Sequence, residues 1–514
     1  MPGVNLDAMI HRDDFDTSST SEQKMRSGSA TLRLVDLADN SLVFPTLRKP
    51  DFQRETNEWN SEKVCKLIES FVDDELIPAV IFWNASSSYT FVIDGAHRLS
   101  ALASWVNDDY GDGEISKKFY DKIENEQLSA AEKTRILVRK RIGPYSDYLL
   151  AVTNPDKVSG KIVERSKNLG LLSLSIQWVG GDQKHAESSF FKINQQGEPL
   201  SKTEMKLLKE RKKPHVLAAR AIIKGGQGHP YWGKFEDGKQ EQIKKISEKL
   251  FCNLFRPPLN KPVKTLDKLP LAGKVGLAST LPTISSFVNI VNDLGNRDIH
   301  DDNSGDMTIE YLNNCNVLTN RISSNEPFSL GLHPAIYFYS HDGRHKQASF
   351  YAAVNFVKQL DTKNKIYDFL NVRGKFEIIL QKYNYLIQQI LRNYRSADKA
   401  YPHITEYYHK IIKKLNEGKD VDNVIDEIMK DSFDFLTIRQ VGSHGEIDSF
   451  SQNTKSSIFI KTALENAIKC NICGGLVPTN SISFDHIIRK QDGGLNTDDN
   501  GQITHPYCNT SFKN

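Results

Sequence analysis

Four residues near the C-terminus have the types and spacing of a metal clamp. Cys470-x2-Cys473 and His505-x2-Cys508 form two knuckles. Two residues between ligands let both side chains of a knuckle turn toward one tetrahedral ion, the geometry of structural zinc. A segment this short has little apolar surface, so a bound ion supplies much of its folding energy. Between the knuckles stands Phe484-Asp485-His486-Ile487, after a short alternating stretch. Asn500 follows, and Asn509 comes directly after Cys508. A purely structural knuckle has no need of an Asp-His pair and two Asn at these places.

In this order the segment resembles the HNH nucleases of the ββα-metal fold, over about 470–514. Phosphodiester hydrolysis needs a nucleophilic water, a base for its proton and a cation for the developing charge. The resemblance implies His486 as the base, since imidazole as a chemical class exchanges protons near neutral pH. It implies Asp485 and Asn509 as ligands of a catalytic Mg²⁺ or Mn²⁺, hard ions that take oxygen donors. It implies Asn500 as the residue that orients the histidine ring. Adjacent residues of a regular strand face opposite ways. The family's answer is a twisted hairpin in which Asp485 holds the ion and His486 aims at the water. Lys513, one turn past Asn509, is placed to hold phosphate.

A second set of residues lies near the N-terminus. Asp51-Phe52-Gln53-Arg54 is followed by Trp59, and Val92-Ile93-Asp94-Gly95-Ala96-His97-Arg98-Leu99 sits at a strand-to-helix turn. A third segment reads Phe191-x-x-Asn194-x-x-Gly197-x-Pro199-Leu200-Ser201-x-x-Glu204. Together they resemble the ParB/sulfiredoxin-like domains of GmrS-like restriction proteins, whose strand ends in Asp-Gly-Gln-Gln-Arg. Ala96-His97 departs from that pattern. The resemblance implies a nucleotide site for GTP or ATP built from Asp94, Gly95, His97, Arg98, Gln53 and Arg54. Arg98, near a helix N-terminus, suits phosphate oxygens. The bland alternative is an Asp94–Arg98 pair that locks the turn, with His97 a packed histidine. Lys202, Lys206, Lys209, Arg211, Lys212 and Lys213 form a basic run that meets a phosphate backbone or merely solvates a helix face.

The elements that must position these groups follow from periodicity. Val64, Leu67, Ile68 and Phe71 mark one face of a helix. Two short apolar strands, AVIFW and YTFVI, flank an Asn84–Ser88 turn, and HRLSALASWV is helical again. Residues 120–180 mix helical and strand signals. The 514 residues are 39% apolar and 25% charged, with 67 Lys+Arg against 64 Asp+Glu, which excludes gross disorder. The net charge of +3 does not by itself indicate a nucleic-acid partner. No apolar run approaches a membrane span, and the start has no signal-peptide pattern. Six cysteines, three in the last 45 residues, point to a reducing compartment with one metal site.

The expected architecture is multidomain α+β. Residues 1–30 form a flexible segment and 31–214 a ParB/sulfiredoxin-like α+β domain that senses nucleotide or modification. Residues 215–440 are a mainly helical domain, 441–457 a linker, and 458–514 a zinc-stapled ββα-metal (HNH) domain. The function that follows is a cytoplasmic, metal-dependent endonuclease acting on phage or modified DNA in restriction, regulated by the N-terminal domain. The rivals are a zinc-dependent DNA-binding sensor that does not cut, and a protein that is primarily an NTPase. One HNH site cuts one strand, so a double-strand break needs a homodimer or two events.

Overall fold

The computed structural model describes all residues except 1–2, 16–28, 54, 58, 85–88, 197–201, 277–278, 296, 439–449 and 514, and the side chains of 168, 194–196 and 202. The chain divides into two compact units, Met1–Arg211 with Gln227–Tyr231, and Lys212–Gly226 with Trp232–Asn514.

The first unit is built on a six-stranded mixed sheet. Its strands are β1 (Arg12–Asp13), β2 (Thr31–Arg33), β3 (Leu47–Pro50), β4 (Val80–Asn84), β5 (Thr90–Asp94) and β6 (Ser173–Trp178). Their order is β1-β3-β5-β4-β6-β2. β4 and β5 are antiparallel, whereas β3–β5 and β4–β6 are parallel. Strand alternation sends Val80, Phe82 and Val92 to one core and Trp83, Phe91 and Ile93 to another, so the sheet is covered on both faces. The larger core holds helix Ser61–Val72, which buries Val64, Cys65, Ile68 and Phe71 at helical spacing. Asn60 caps it by accepting from Lys63 N. The ambiguous stretch 120–180 resolves into helices Asn125–Arg141, Tyr145–Thr153 and Gly160–Leu169, followed by β6.

Within the flexible segment expected over 1–30, residues 3–15 are packed into the fold. Val4, Leu6, Ala8, Met9 and Ile10 lie in the larger core, and Phe15 in the smaller one. Asp7 is buried with two cations: Lys49 Nζ donates to its Oδ1 at 2.7 Å, and Arg12 pairs with it at 3.1 Å. The polar composition of 16–28, which lies outside the described residues, masked an apolar stretch that precedes it.

The second unit is helical up to the C-terminal module. Helices Asp306–Ile322, Gln347–Thr362, Ile366–Lys382 and Ala397–Asn416 supply much of its core. Ala397–Asn416 shows why they form: Ala400, Ile404, Tyr408, Ile411 and Leu415 are buried along one stripe, and Ser396 caps the first turn. The expected linker 441–457 lies partly outside the described residues, and from Gln452 the chain is helical to Glu465. The hairpin β7 (Ser483–His486) and β8 (Gly501–Thr504) follows, and then a wide-turn helix, Cys508–Phe512. Among the described residues no helix is long and apolar enough to cross a membrane.

Candidate metal centre and nuclease site

The two knuckles close on one point. Cys470 and Cys473 flank a tight turn, and His505 and Cys508 open the terminal helix. Their donor atoms all lie within 4.8 Å of one another, and all four residues are buried. His505 Nδ1 is 3.4 Å from Cys473 Sγ and 3.8 Å from Cys508 Sγ. Tetrahedral zinc–thiolate bonds place sulfurs about 3.8 Å apart. The donor set therefore fits a structural zinc ion. His505 Nε2 donates to Leu476 O at 3.0 Å, which fixes the tautomer and turns the Nδ1 lone pair toward the sulfurs. Hydrogen bonds from Cys473 and Cys508 hold the Cys470 thiol below its ordinary pKa.

A buried ion pair from the helical body completes this centre. Arg373 and Glu377 stand one turn apart on helix Ile366–Lys382, 2.8 Å from each other. Arg373 Nη1 is 3.3 Å from His505 Nδ1, and Nη2 donates to Gly331 O at 2.8 Å. Glu377 Oε2 accepts from Leu476 N at 2.7 Å, within the first knuckle. Burial works against the Arg373 charge, but Glu377 and Cys473 more than offset it and its pKa is raised. The close approach requires glycine: a Cβ on Gly475 would stand 2.3 Å from Arg373 Nε. Sequence reasoning missed both residues. Their signal is a charged pair at i and i+4 on a face otherwise made of Phe369, Leu370, Phe376 and Leu380.

The hairpin carries the nuclease groups. Ser483 and Asp485 share one face of β7, and Phe484 and His486 the other. Asp485 Oδ2 accepts from Gln502 Nε2 at 2.7 Å, across the strand pair, and from Lys513 Nζ at 2.6 Å. Lys513 also donates to His486 O. Asn509 Nδ2 donates to Ser483 Oγ at 2.8 Å and to Phe484 O at 3.1 Å. Asn509 and Asp485 therefore meet on one side of the hairpin, with the Asn509 amide nitrogen turned to the strand. A carboxylate and an amide oxygen are donors that fit a hard divalent cation.

His486 is held differently from expectation. Its Nε2 donates to Asn496 Oδ1 at 2.8 Å, a residue that sequence reasoning did not single out. Because an amide oxygen only accepts, Nε2 carries the hydrogen and Nδ1 keeps the lone pair of the neutral ring. Asn500 does not touch the ring among its hydrogen bonds. It accepts from Ile488 N at 2.8 Å and donates to Ile488 O and Leu495 O, at 3.0 and 2.8 Å, clamping the neck of the loop that carries Asn496.

The N-terminal residues form a looser group. β5 ends at Asp94, and Gly95 turns the chain into helix Ala96–Val106 at φ +97°, where a Cβ would stand 2.7 Å from Val80 Cγ1. Arg98 Nη2 donates to Asp94 Oδ2 at 2.8 Å and to Ala79 O at 3.1 Å, so this pair ties the turn to the start of β4. His97 stacks on Trp59, with ring centroids 5.6 Å apart. Gln53 is buried, its Nε2 3.5 Å from Ile93 O. Arg54, Gly197 and the Pro199-Leu200-Ser201 segment lie outside the described residues. Of the basic run, Arg211 is bound to Asp51 at 2.8 Å and to Glu187 at 3.0 Å rather than turned to a ligand.

A soft-ligand clamp that pins a β-hairpin to a short terminal helix, with carboxylate, imidazole and amides gathered on it, defines a ββα-metal nuclease domain. Residues 470–514 match the family model described as HNH endonuclease, and residues 33–211 match GmrSD restriction endonuclease, N-terminal domain. The chain thus joins a GmrSD N-terminal domain to a C-terminal HNH domain, and it is a DNA endonuclease. No curated protein and no solved structure matches it.

Proposed function

We propose that the protein hydrolyses phosphodiester bonds of foreign DNA at the Asp485–His486 hairpin, with the N-terminal domain deciding when. The observation that carries this reading is the shared side of Asp485, Asn509 and Lys513 on a hairpin whose adjacent residue, His486, is bonded through Nε2 to Asn496. His486 Nδ1 takes the proton of the attacking water as its oxygen bonds to phosphorus and the phosphorus–oxygen bond to the leaving sugar breaks. Asp485 and Asn509 would hold Mg²⁺ or Mn²⁺, which would supply charge stabilisation for the phosphate. Cys470, Cys473, His505 and Cys508 hold zinc and keep the hairpin and terminal helix in register.

In the first unit, Asp94, Gly95, His97 and Arg98, with Gln53 and Arg54, form the proposed site for GTP or ATP. Phage or modified DNA is the proposed target, in the cytoplasm, and paired copies acting on opposite strands would give a double-strand break. Two assays test the reading. Plasmid nicking should require Mg²⁺ or Mn²⁺ and stop on chelation; intact plasmid under every metal condition refutes it. Digestion of modified and unmodified phage DNA, with and without GTP and ATP, tests the regulation. Phosphate release by wild type but not by Asp94→Ala would assign hydrolysis to the first unit.

A further inference from the structure

Four large apolar side chains stand in water around the nuclease residues. Phe484 is 75% exposed, Ile487 53%, Ile488 56% and Leu495 70%. Scattered exposed apolar residues are ordinary, but four within twelve positions about one catalytic pair are not. Phe484 lies on the same face of β7 as His486, two residues away. Asn500 draws Ile488 and Leu495 to one neck by donating to both carbonyls, and Asn496, next to Leu495, holds the His486 ring. The exposed apolar residues therefore lie on the strand and the loop neck that carry the imidazole and its Asn496 partner. The Phe484 backbone is tied to the terminal helix, its carbonyl accepting from Asn509 Nδ2 at 3.1 Å.

We propose that Phe484, exposed on the strand face that carries His486, is a wedge that enters a groove of duplex DNA beside the scissile phosphate and parts a base step. The proposal rests on the nuclease reading above. An apolar side chain pushed between bases kinks a duplex and exposes its backbone to the groups beside the wedge. The exposed Lys490 follows in sequence, with charge suited to a flanking phosphate, next to Arg489, whose guanidinium donates to Lys513 O at 2.6 Å. A protein seated on these side chains would bury His486 with them, so the substrate is the occupant compatible with activity.

The test uses the full chain carrying His486→Ala and a duplex spanning a cut site mapped with wild type, with 2-aminopurine on each side of the scissile phosphate. Binding should raise 2-aminopurine fluorescence. Adding Phe484→Ala should remove that rise and weaken binding on the order of tenfold, whereas Phe484→Leu should retain most of both. With His486 intact, a mismatch at the cut site should restore nicking by Phe484→Ala. Zinc content should be unchanged throughout. Equal fluorescence, binding and nicking by Phe484→Ala and wild type overturns the wedge alone. Failure of wild type to nick any duplex with Mg²⁺ or Mn²⁺ overturns the nuclease reading, and the wedge falls with it.

Discussion

The C-terminal module and the β5 turn of the first unit both carry residues singled out from sequence, but the fold treats them differently. In the module, four ligands converge within 4.8 Å, and Asp485 and Asn509 meet on one side of a hairpin. At the turn, Asp94 and Arg98 are bonded to each other, His97 is stacked on Trp59, and Gln53 is buried behind them. The module gathers donors around a point where a ligand belongs, while at the turn Asp94 and Arg98 are turned to each other and, among the described residues, Arg98 Nε and Gln53 Oε1 are buried without a hydrogen-bond partner. A motif marks a place in the fold; whether its side chains face a ligand or each other depends on their neighbours.

The strongest way to break this comparison is to remove the clamp. Cys470→Ser should abolish zinc binding and nicking and destabilise the second unit by several kcal/mol, because the ion supplies folding energy that so small a module lacks. Zinc analysis and limited proteolysis check this; a variant that keeps its zinc and its protease resistance contradicts it. Next in effect, His486→Ala should lower nicking at least about 10²-fold with fold and zinc intact. Normal cutting by that variant in Mg²⁺ would remove His486 as the base.

Arg373→Met should cost about 3–5 kcal/mol, since it leaves Glu377 charged and buried without its partner. The melting temperature measures this, and a companion Arg373→Met/Glu377→Leu protein should recover part of the loss. Should Arg373→Met melt like wild type, the module does not depend on the helical body through this pair. The smallest effect belongs to the turn. Asp94→Ala should cost about 1 kcal/mol or less, because the Asp94–Arg98 pair is partly solvated. Unchanged zinc content with loss of phosphate release would sharpen the contrast, as the turn would then bind a ligand despite its internal pairing.

A pH experiment reads the buried histidines of the second unit. Burial lowers the pKa of His333 and of His345 to about 4. Between the ordinary histidine range and that value, the unfolded chain takes up protons that the folded chain refuses. Stability of the second unit should therefore fall as pH drops from about 6.5 toward 4. Melting temperatures across that window test the sign.

Much of this molecule was legible one segment at a time. The helical stripe Val64–Phe71, the strands on either side of 84–88 and the ligand spacing at 470–508 depend on neighbours within a few residues or on one bound ion. Local periodicity and donor chemistry therefore specify them. Other features depend on partners far apart in sequence. Residues 3–15 enter a core whose other side chains come from positions up to 208, so their local composition did not reveal burial. Arg373 reaches His505 across 132 residues, and no spacing rule connects them. Asn500 was recognised, yet only the loop geometry showed that it holds Ile488 and Leu495 while Asn496 holds the imidazole. Residue types and short spacings set which chemistry this chain carries. Tertiary packing decided which atom each group offers, because hydrogen-bond partners, burial and the ion pair behind the clamp exist only once distant segments meet.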